Sequence, residues 1–377
     1  MQLRALGRVD QLAFTELVDM ARDAAFDRDY PASGSFHKRT RAGRDYWYYQ
    51  RHVGMNEDGS RQIDTRYVGK VGDAEVERRI AAFGEIKETH RIRRRLVSQL
   101  RGAGLPTPHK LEGDLIEALA QAGLFRVNGV LIGSMAYQTY GGMLGVRLPS
   151  AALATQDADF AQDHGISLHV DDQTDDIIET LHRVDPSFRP VPSLRDPLRT
   201  NAFANGTRFK VEFLTSSRGS DEQHSGLTRL PAIAGSGAVP LRTIDFLIRD
   251  PITSVVLHGA GVSVLVPTPE RYGVHKLIVA SQRTSSAESS AKAVKDITQA
   301  EDLIAALTIA GRQFDLSEAW AEAWERGPSW RENLAQGAMR MKPDSRLALR
   351  DAVATFSEDH GLAKDRDPVE TLKLALA

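Results

Sequence analysis

Apolar positions change period several times along the chain, and each change marks an element. Residues 1–30 read as an amphipathic helix, with Leu12, Phe14, Leu17, Val18 and Met20 supplying its apolar positions, and Pro31 to Gly34 ends it. Tyr46 to Tyr49 then sits in a run rich in strand formers. A turn at Asn56 to Gly59 and a return run at Arg66 to Gly69 predict a β-hairpin. Residues 73–102 read as one long charged helix. Gly102 to Gly104 and Pro106 to Pro108 make a domain boundary.

Beyond that boundary a helix is expected from Glu112 to Leu124, with Leu115, Ile116, Leu119 and Ala120 on one face. A core strand follows from Phe125 to Ile132. A helix follows Ser134, in which Gly141-Gly142 marks a kink, a close contact or the helix end. Asp171-Asp172 can open an acidic helix through Val184. Strands at Thr200–Ala204 and Thr207–Leu214 are joined by Asn205-Gly206, a hairpin signal. Residues 215–240 read as a surface loop, in which Gly235 to Gly237 is a weak phosphate-loop candidate, and strands are expected near 241–248 and 262–266. Pro267 to Glu270 opens a helix that ends near Arg283, a further helix runs to Ile309, and 312–377 reads as helical. The fold class is α/β (α+β): a mixed sheet with flanking helices, a basic N-terminal hairpin-plus-helix module and a helical C-terminal region. The expected domains are 1–105, 106–270 and 271–377.

Composition narrows the class without changing this picture. The chain has 377 residues, is 41% hydrophobic and 26% charged, and has a net charge of −2 and no cysteine. Disulfides, thiolate zinc sites and cysteine nucleophiles are therefore excluded. No apolar run spans a bilayer and no leader is evident near the N-terminus, so the expected location is cytoplasmic with no membrane partner. Charge is uneven, however. From Asp27 to Lys110 there are 18 Lys and Arg against 11 Asp and Glu, a local net of +7. Aromatics interleave with these cations, and Arg93, Arg94 and Arg95 close the cluster, which suggests contact with RNA. Packing of a small sheet with solvated charges accounts for the same residues. No Walker run, His-Glu-x-x-His pair or Gly-x-Ser-x-Gly elbow occurs.

The candidate chemistry lies in three short pieces. Leu131-Ile132-Gly133-Ser134 reads as a strand ending in a tight turn that opens a helix. Its amides and the Ser134 hydroxyl can hold terminal phosphates of a nucleotide. Asp157 and Asp159, at i and i+2 of a strand, project from one face. Glu212 is the single acid of the strand Phe209–Leu214. Paired carboxylates can bridge two Mg²⁺ ions about 4 Å apart, with Mn²⁺ able to substitute. Glu212 can complete one metal site and accept the proton of an attacking hydroxyl. This set suits metal-dependent transfer of a nucleoside monophosphate from an NTP to a hydroxyl.

These pieces resemble the DNA polymerase beta-like nucleotidyltransferase superfamily over about residues 112–310, and its bacterial stand-alone and toxin–antitoxin members in particular. The interval from Ser134 to Asp157 is longer than in compact members, so a longer helix and an extra loop are expected there. A helical Lys, a following Arg and a Lys-Asp pair resemble the C-terminal nucleotide-binding elements of the toxin-type members. The resemblance implies that Lys276 contacts the triphosphate and that Asp296 orients or assists it. On spacing alone each reads as an ordinary surface charge. The basic N-terminal module favours an RNA acceptor, such as a tRNA end, which matches what some toxin-type members modify; the resemblance leaves open whether there is an antitoxin partner. A protein side chain or an aminoglycoside-like hydroxyl compound as acceptor, or a non-catalytic nucleic-acid-binding or partner-regulated scaffold of the same fold, are the alternatives.

Overall fold

The computed structural model describes residues 3–24, 33–41, 44–55, 60–149, 156–169, 172–193, 196, 199–217, 226–283 and 286–360. The chain opens with β1 (Arg4–Ala5) and α1 (Arg8–Ala24). An antiparallel meander follows: β2 (Ser35–Arg41), β3 (Arg44–Met55) and β4 (Arg61–Lys70). The expected hairpin is thus β3–β4, with one more strand on its other edge; its turn at 56–59 lies outside the described residues. Phe36 and Tyr49 pack edge-on against Phe83 of α2 (Ala74–Gly102), which explains the inward aromatics.

Next come α3 (Lys110–Gln121), β5 (Val130–Ile132), α4 (Gly133–Met143), β6 (Val146–Arg147) and β7 (Asp157–Gln162). The strand expected from Phe125 is shorter than its apolar run. Residues 122–128 are turns, and Asn128 takes a positive φ of 60° just before Gly129. Short helices α5 (His164–His169) and α6 (Ile177–His182) follow. Asp176, rather than Asp171-Asp172, caps α6 by accepting from the Glu179 amide; Asp172 pairs with Arg126 instead, and Asp171 lies outside the described residues.

Strands β8 (Arg189–Pro190), β9 (Ala202–Ala204), β10 (Lys210–Ser216), β11 (Thr228–Arg229) and β12 (Gly237–Leu241) complete the main sheet, ordered β11-β12-β10-β7-β5 with β9 and β8 on a branch. The run expected as an open loop thus contributes two strands, β11 and β12, joined by turns: β12 pairs in parallel with the second half of β10, Leu214 opposite Val239. The run expected as a strand at 241–248 contains the one-turn helix α7 (Ile244–Leu247). A short apolar run suits either state, and here tertiary burial of Ile244, Phe246 and Leu247 selects the helix. The hairpin β13 (Ile252–Val256) and β14 (Val262–Val266) leads to α8 (Pro269–Gln282), which has proline in its first turn. Helices α9 (Ala287–Ile309), α10 (Gln313–Glu325), α11 (Pro328–Met339) and α12 (Pro343–His360) are the last elements among the described residues. No helix among the described residues is long and apolar enough to cross a membrane.

Alternation along the main sheet separates two faces. Phe160, Phe203 and Phe213 are buried on one, in a core shared with Leu115 and Ile116 of α3 and Ile177 and Leu181 of α6. Their rings stack or meet edge-on at centroid distances of 5.8 and 6.4 Å. The other face carries the acids. The N-terminal helix is built into the same body. β1 pairs with β6, and Phe14 packs so closely over Gly142 that a Cβ there would lie 2.2 Å from its ring. Gly141-Gly142 is thus both a close contact and the last turn of α4.

Candidate active site

Three elements converge on the acid-bearing face. Ile132 of β5 lies opposite Asp159 of β7, and Asp159 lies opposite Glu212 of β10. Because successive strand residues alternate, Asp157, Asp159 and Glu212 project to one side, while Ala158, Phe160 and Val211 enter the core. β5 ends at this row, and the chain turns at Gly133 into α4 with φ +64°. A Cβ on Gly133 would lie 2.5 Å from Asp159 Oδ2. The turn and the carboxylate are in contact, and glycine is what lets them be. Ser134 follows at the second position of α4, where free amides point outward.

The electrostatics follow from this crowding. Burial, then the charges of Asp157 and Glu212, push the Asp159 carboxyl up to about 7; Lys276 and Lys210 pull the other way. Lys210 Nζ holds Glu212 Oε1 at 2.8 Å. Lys210 stands opposite Asp157 on the neighbouring strand. Three carboxylates thus share this face with Lys210, and Lys276 acts on it from the C-terminal helices.

A second group approaches from the C-terminal helices. Lys276 Nζ and Arg283 Nε bind the two oxygens of Asp296, each at 2.6 Å. The Asp296 side chain is 2% exposed and that of Lys276 13%. Spacing alone gave both as surface charges. Packing of α8 on α9 buries them instead, and the paired opposite charges make that burial tolerable. Burial and the charge of Lys276 lower the Lys295 ammonium, with Asp157, Asp296 and Asp159 opposing the shift. Tyr272, one turn before Lys276, donates from its hydroxyl to the Gly133 carbonyl at 2.9 Å. Its hydroxyl is also 3.1 Å from Gln299 Oε1, and Lys276 Nζ lies 5.2 Å from its ring centre. Tyr272 is thus the tie between the phosphate turn and the C-terminal helices. The sequence does not single out Tyr272, and it shows Lys295 only as the first half of the Lys-Asp pair, without a role of its own. The four-residue spacing from Tyr272 to Lys276, which puts both on one helix face, is the available signal.

The expected basic cluster is divided. Arg93 is buried and donates to the Gly261 carbonyl at 3.3 Å, and burial lowers its pKa. It anchors α2 to the β13–β14 turn and does not belong to a nucleic-acid surface. Arg94 and Arg95 are exposed.

Among the described residues, no group of three or more His, Asp or Glu side chains is drawn together closely enough to hold a metal. Two carboxylates on one strand face, with a third across the ladder tied to Lys210, nevertheless fit a hard cation. Mg²⁺ takes few protein ligands and completes its shell with water and phosphate oxygens. Burial first, and the charges of Asp157 and Glu212 second, raise the Asp159 carboxyl, and a bound cation would offset the second of these.

A turn-borne glycine against a carboxylate pair, with lysines facing them, is a constellation suited to handling a nucleoside triphosphate. A family model described as nucleotidyltransferase matches residues 110–325. The match covers more than half of the chain and spans every element of this site, and the chain belongs to that nucleotidyltransferase family. It is a transferase of nucleotidyl groups. No curated protein and no solved structure matches the chain.

Proposed function

We propose that the protein moves a nucleoside monophosphate from an NTP to a hydroxyl of an RNA acceptor, as a stand-alone nucleotidyltransferase of the polymerase beta-like, toxin type. The observation that carries this reading is the register row Ile132–Asp159–Glu212, which sets the Gly133 turn and three carboxylates on one face. The α4 amides with Ser134 hold the β- and γ-phosphates, and Lys276 and Lys295 face them from the opposite side. Asp296 and Tyr272 position Lys276. Asp157 and Asp159 would hold Mg²⁺, with Glu212 completing the set. When bound, the cation supplies charge neutralisation on the phosphates and orients the attacking oxygen. The acceptor oxygen forms a bond to the α-phosphorus as the bond to the bridging oxygen breaks. Pyrophosphate leaves and Glu212 takes the hydroxyl proton.

The N-terminal meander supports an RNA acceptor. Lys38 lies 4.8 Å from the Trp47 ring and Arg39 5.4 Å from the Tyr48 ring, a pairing of cations with aromatic faces that suits single-stranded nucleic acid. The test is incubation with each α-labelled NTP, Mg²⁺ and total cellular RNA and protein. Label on RNA, absent from an Asp157→Ala/Asp159→Ala variant, is expected. Label on protein alone would reject the RNA acceptor.

A further inference from the structure

Strand β10 changes partner along one edge. Over Lys210–Glu212 its neighbour is the antiparallel β9; over Leu214–Ser216 it is the parallel β12. The two neighbours meet where the Gly237 amide donates to the Thr200 carbonyl at 2.7 Å. A cleft of about 700 Å³ opens beside this handover, with Pro190, Val191, Arg199, Arg229, Pro231 and Ser236 among its walls. That volume accommodates a ligand of several rings.

The cleft lies on the register of the active site. The Val191 amide donates to the Ala202 carbonyl at 2.8 Å, Ala202 lies opposite Glu212, and Glu212 opposite Asp159. Val191 and Asp159 are therefore three strand spacings apart in one row, about 14 Å at roughly 4.8 Å per strand. Arg229 reaches the same face by alternation. It lies opposite Gly237, two residues from Val239, which faces Leu214, two residues from Glu212. Arg229 is exposed. Arg199 is held in place, donating to the Leu227 carbonyl at 3.4 Å and lying 3.5 Å from Asp196.

The chemistry of the walls selects the occupant. The described lining residues include two guanidinium groups and no carboxylate; Asp196 offsets Arg199, so Arg229 is the cation that favours an anionic ligand, and proline and valine surfaces accept flat apolar bodies. Guanidinium groups bind phosphate through paired donors and also stack on bases. Resting on the reading of an RNA acceptor, we propose that this cleft holds the nucleotides of the acceptor strand next to the hydroxyl that is extended. The strand runs along the transverse row, with its end at Asp159 and Glu212 and its preceding phosphates at Arg229. The cleft thereby sets which RNA ends can be extended, independently of the NTP.

The test uses the full chain and fluorescein-labelled single-stranded RNA oligonucleotides, followed by anisotropy without divalent cation. Binding of labelled NTP with Mg²⁺ is measured beside it. Arg229→Glu is expected to weaken RNA binding at least tenfold, to flatten its salt dependence by about one phosphate contact, and to leave NTP affinity unchanged. Arg229→Lys keeps most of the affinity, and Val191→Trp, which fills the cleft, loses it. Circular dichroism confirms that each variant is folded. Wild-type protein that binds RNA as tightly as Arg229→Glu and Val191→Trp overturns the cleft assignment and leaves the RNA acceptor standing. Wild-type protein that binds no RNA, yet transfers label to a protein or a small hydroxyl compound, overturns the acceptor reading and the cleft assignment with it.

Discussion

Gly133 and Asp159 are in contact across the active face: a Cβ on Gly133 would stand 2.5 Å from Asp159 Oδ2. The backbone of Gly133 also lies at φ +64°, where a side chain costs about 1–2 kcal/mol. Gly133→Ala is therefore expected to push the carboxylate out of its row. Transfer should fall by about a hundredfold or more, consistent with the sensitivity of reacting geometry to shifts near 1 Å. The melting temperature should drop by only a few degrees. Steady-state kinetics beside a thermal melt checks the split; unchanged kcat/KM would show that Asp159 is not held by this contact.

The raised Asp159 carboxyl has a signed consequence for stability. Its pKa is about 7 in the fold against 3.8 unperturbed. The protonated form is thus favoured by folding, and its contribution is complete below pH 3.8 and lost as pH rises through 7. Asp159→Asn keeps the neutral shape at every pH. In EDTA the variant should melt higher than the parent at pH 8, by roughly 2–4 °C per kcal/mol recovered. The gap should close toward pH 4, while transfer activity is abolished. Melting curves across that pH range decide it.

Lys276 and Lys295 should separate binding from folding. Lys295→Met removes a partly buried cation whose charged form burial already disfavours. A rise in KM for NTP of about tenfold is expected, with little change in melting. Lys276→Met also raises KM. It leaves the buried Asp296 with Arg283 alone and should cost about 1–3 kcal/mol of stability as well. Equal melting temperatures for the two variants would contradict the buried pairing.

His275 supplies a pH dependence of its own. Burial, with the charge of Lys276 beside it, lowers its pKa to about 3, and its Nε2 lies 3.0 Å from Thr243 Oγ1. The folded ring stays neutral while the unfolded one protonates below 6.5. Its stabilising contribution is present above pH 6.5 and is lost as pH falls from 6.5 toward 3, at up to about 1.4 kcal/mol per pH unit. Urea unfolding at a series of pH values should show this slope in the parent and a shallower one in His275→Gln.

The docking of α1 is testable at one atom. Gly142→Ala places a methyl 2.2 Å from the Phe14 ring and should cost about 1–3 kcal/mol by overpacking. Phe14→Leu in the same chain should recover part of that loss. Urea midpoints of the single and double variants measure the coupling.

Much of this arrangement is legible in the sequence where local pattern governs it. The two-residue alternation puts Asp157 and Asp159 on one face, and Asn205-Gly206 turns the chain so that Glu212 lies in register beside them. Pro269 marks the start of α8 for the same local reason. What escaped depends on partners distant in sequence. Val239 is strand because it lies beside Leu214, and Ile244 to Leu247 are helical because burial favours that state. Lys276 and Asp296 resemble surface charges until α8 and α9 are packed together. Arg93 looks identical to Arg94 and Arg95 until Gly261 is placed above it.

The hydroxyl of Tyr272 on the Gly133 carbonyl joins residues 139 positions apart through one hydrogen bond. The turn that receives the nucleotide is thereby shaped by a helix far down the chain. Two separately produced pieces, divided anywhere between Ser134 and Tyr272, would each carry half of the nucleotide site and should regain NTP binding only when mixed. The same bond limits inheritance: a relative that exchanged its C-terminal helices for unrelated ones would have to supply a new donor to that carbonyl.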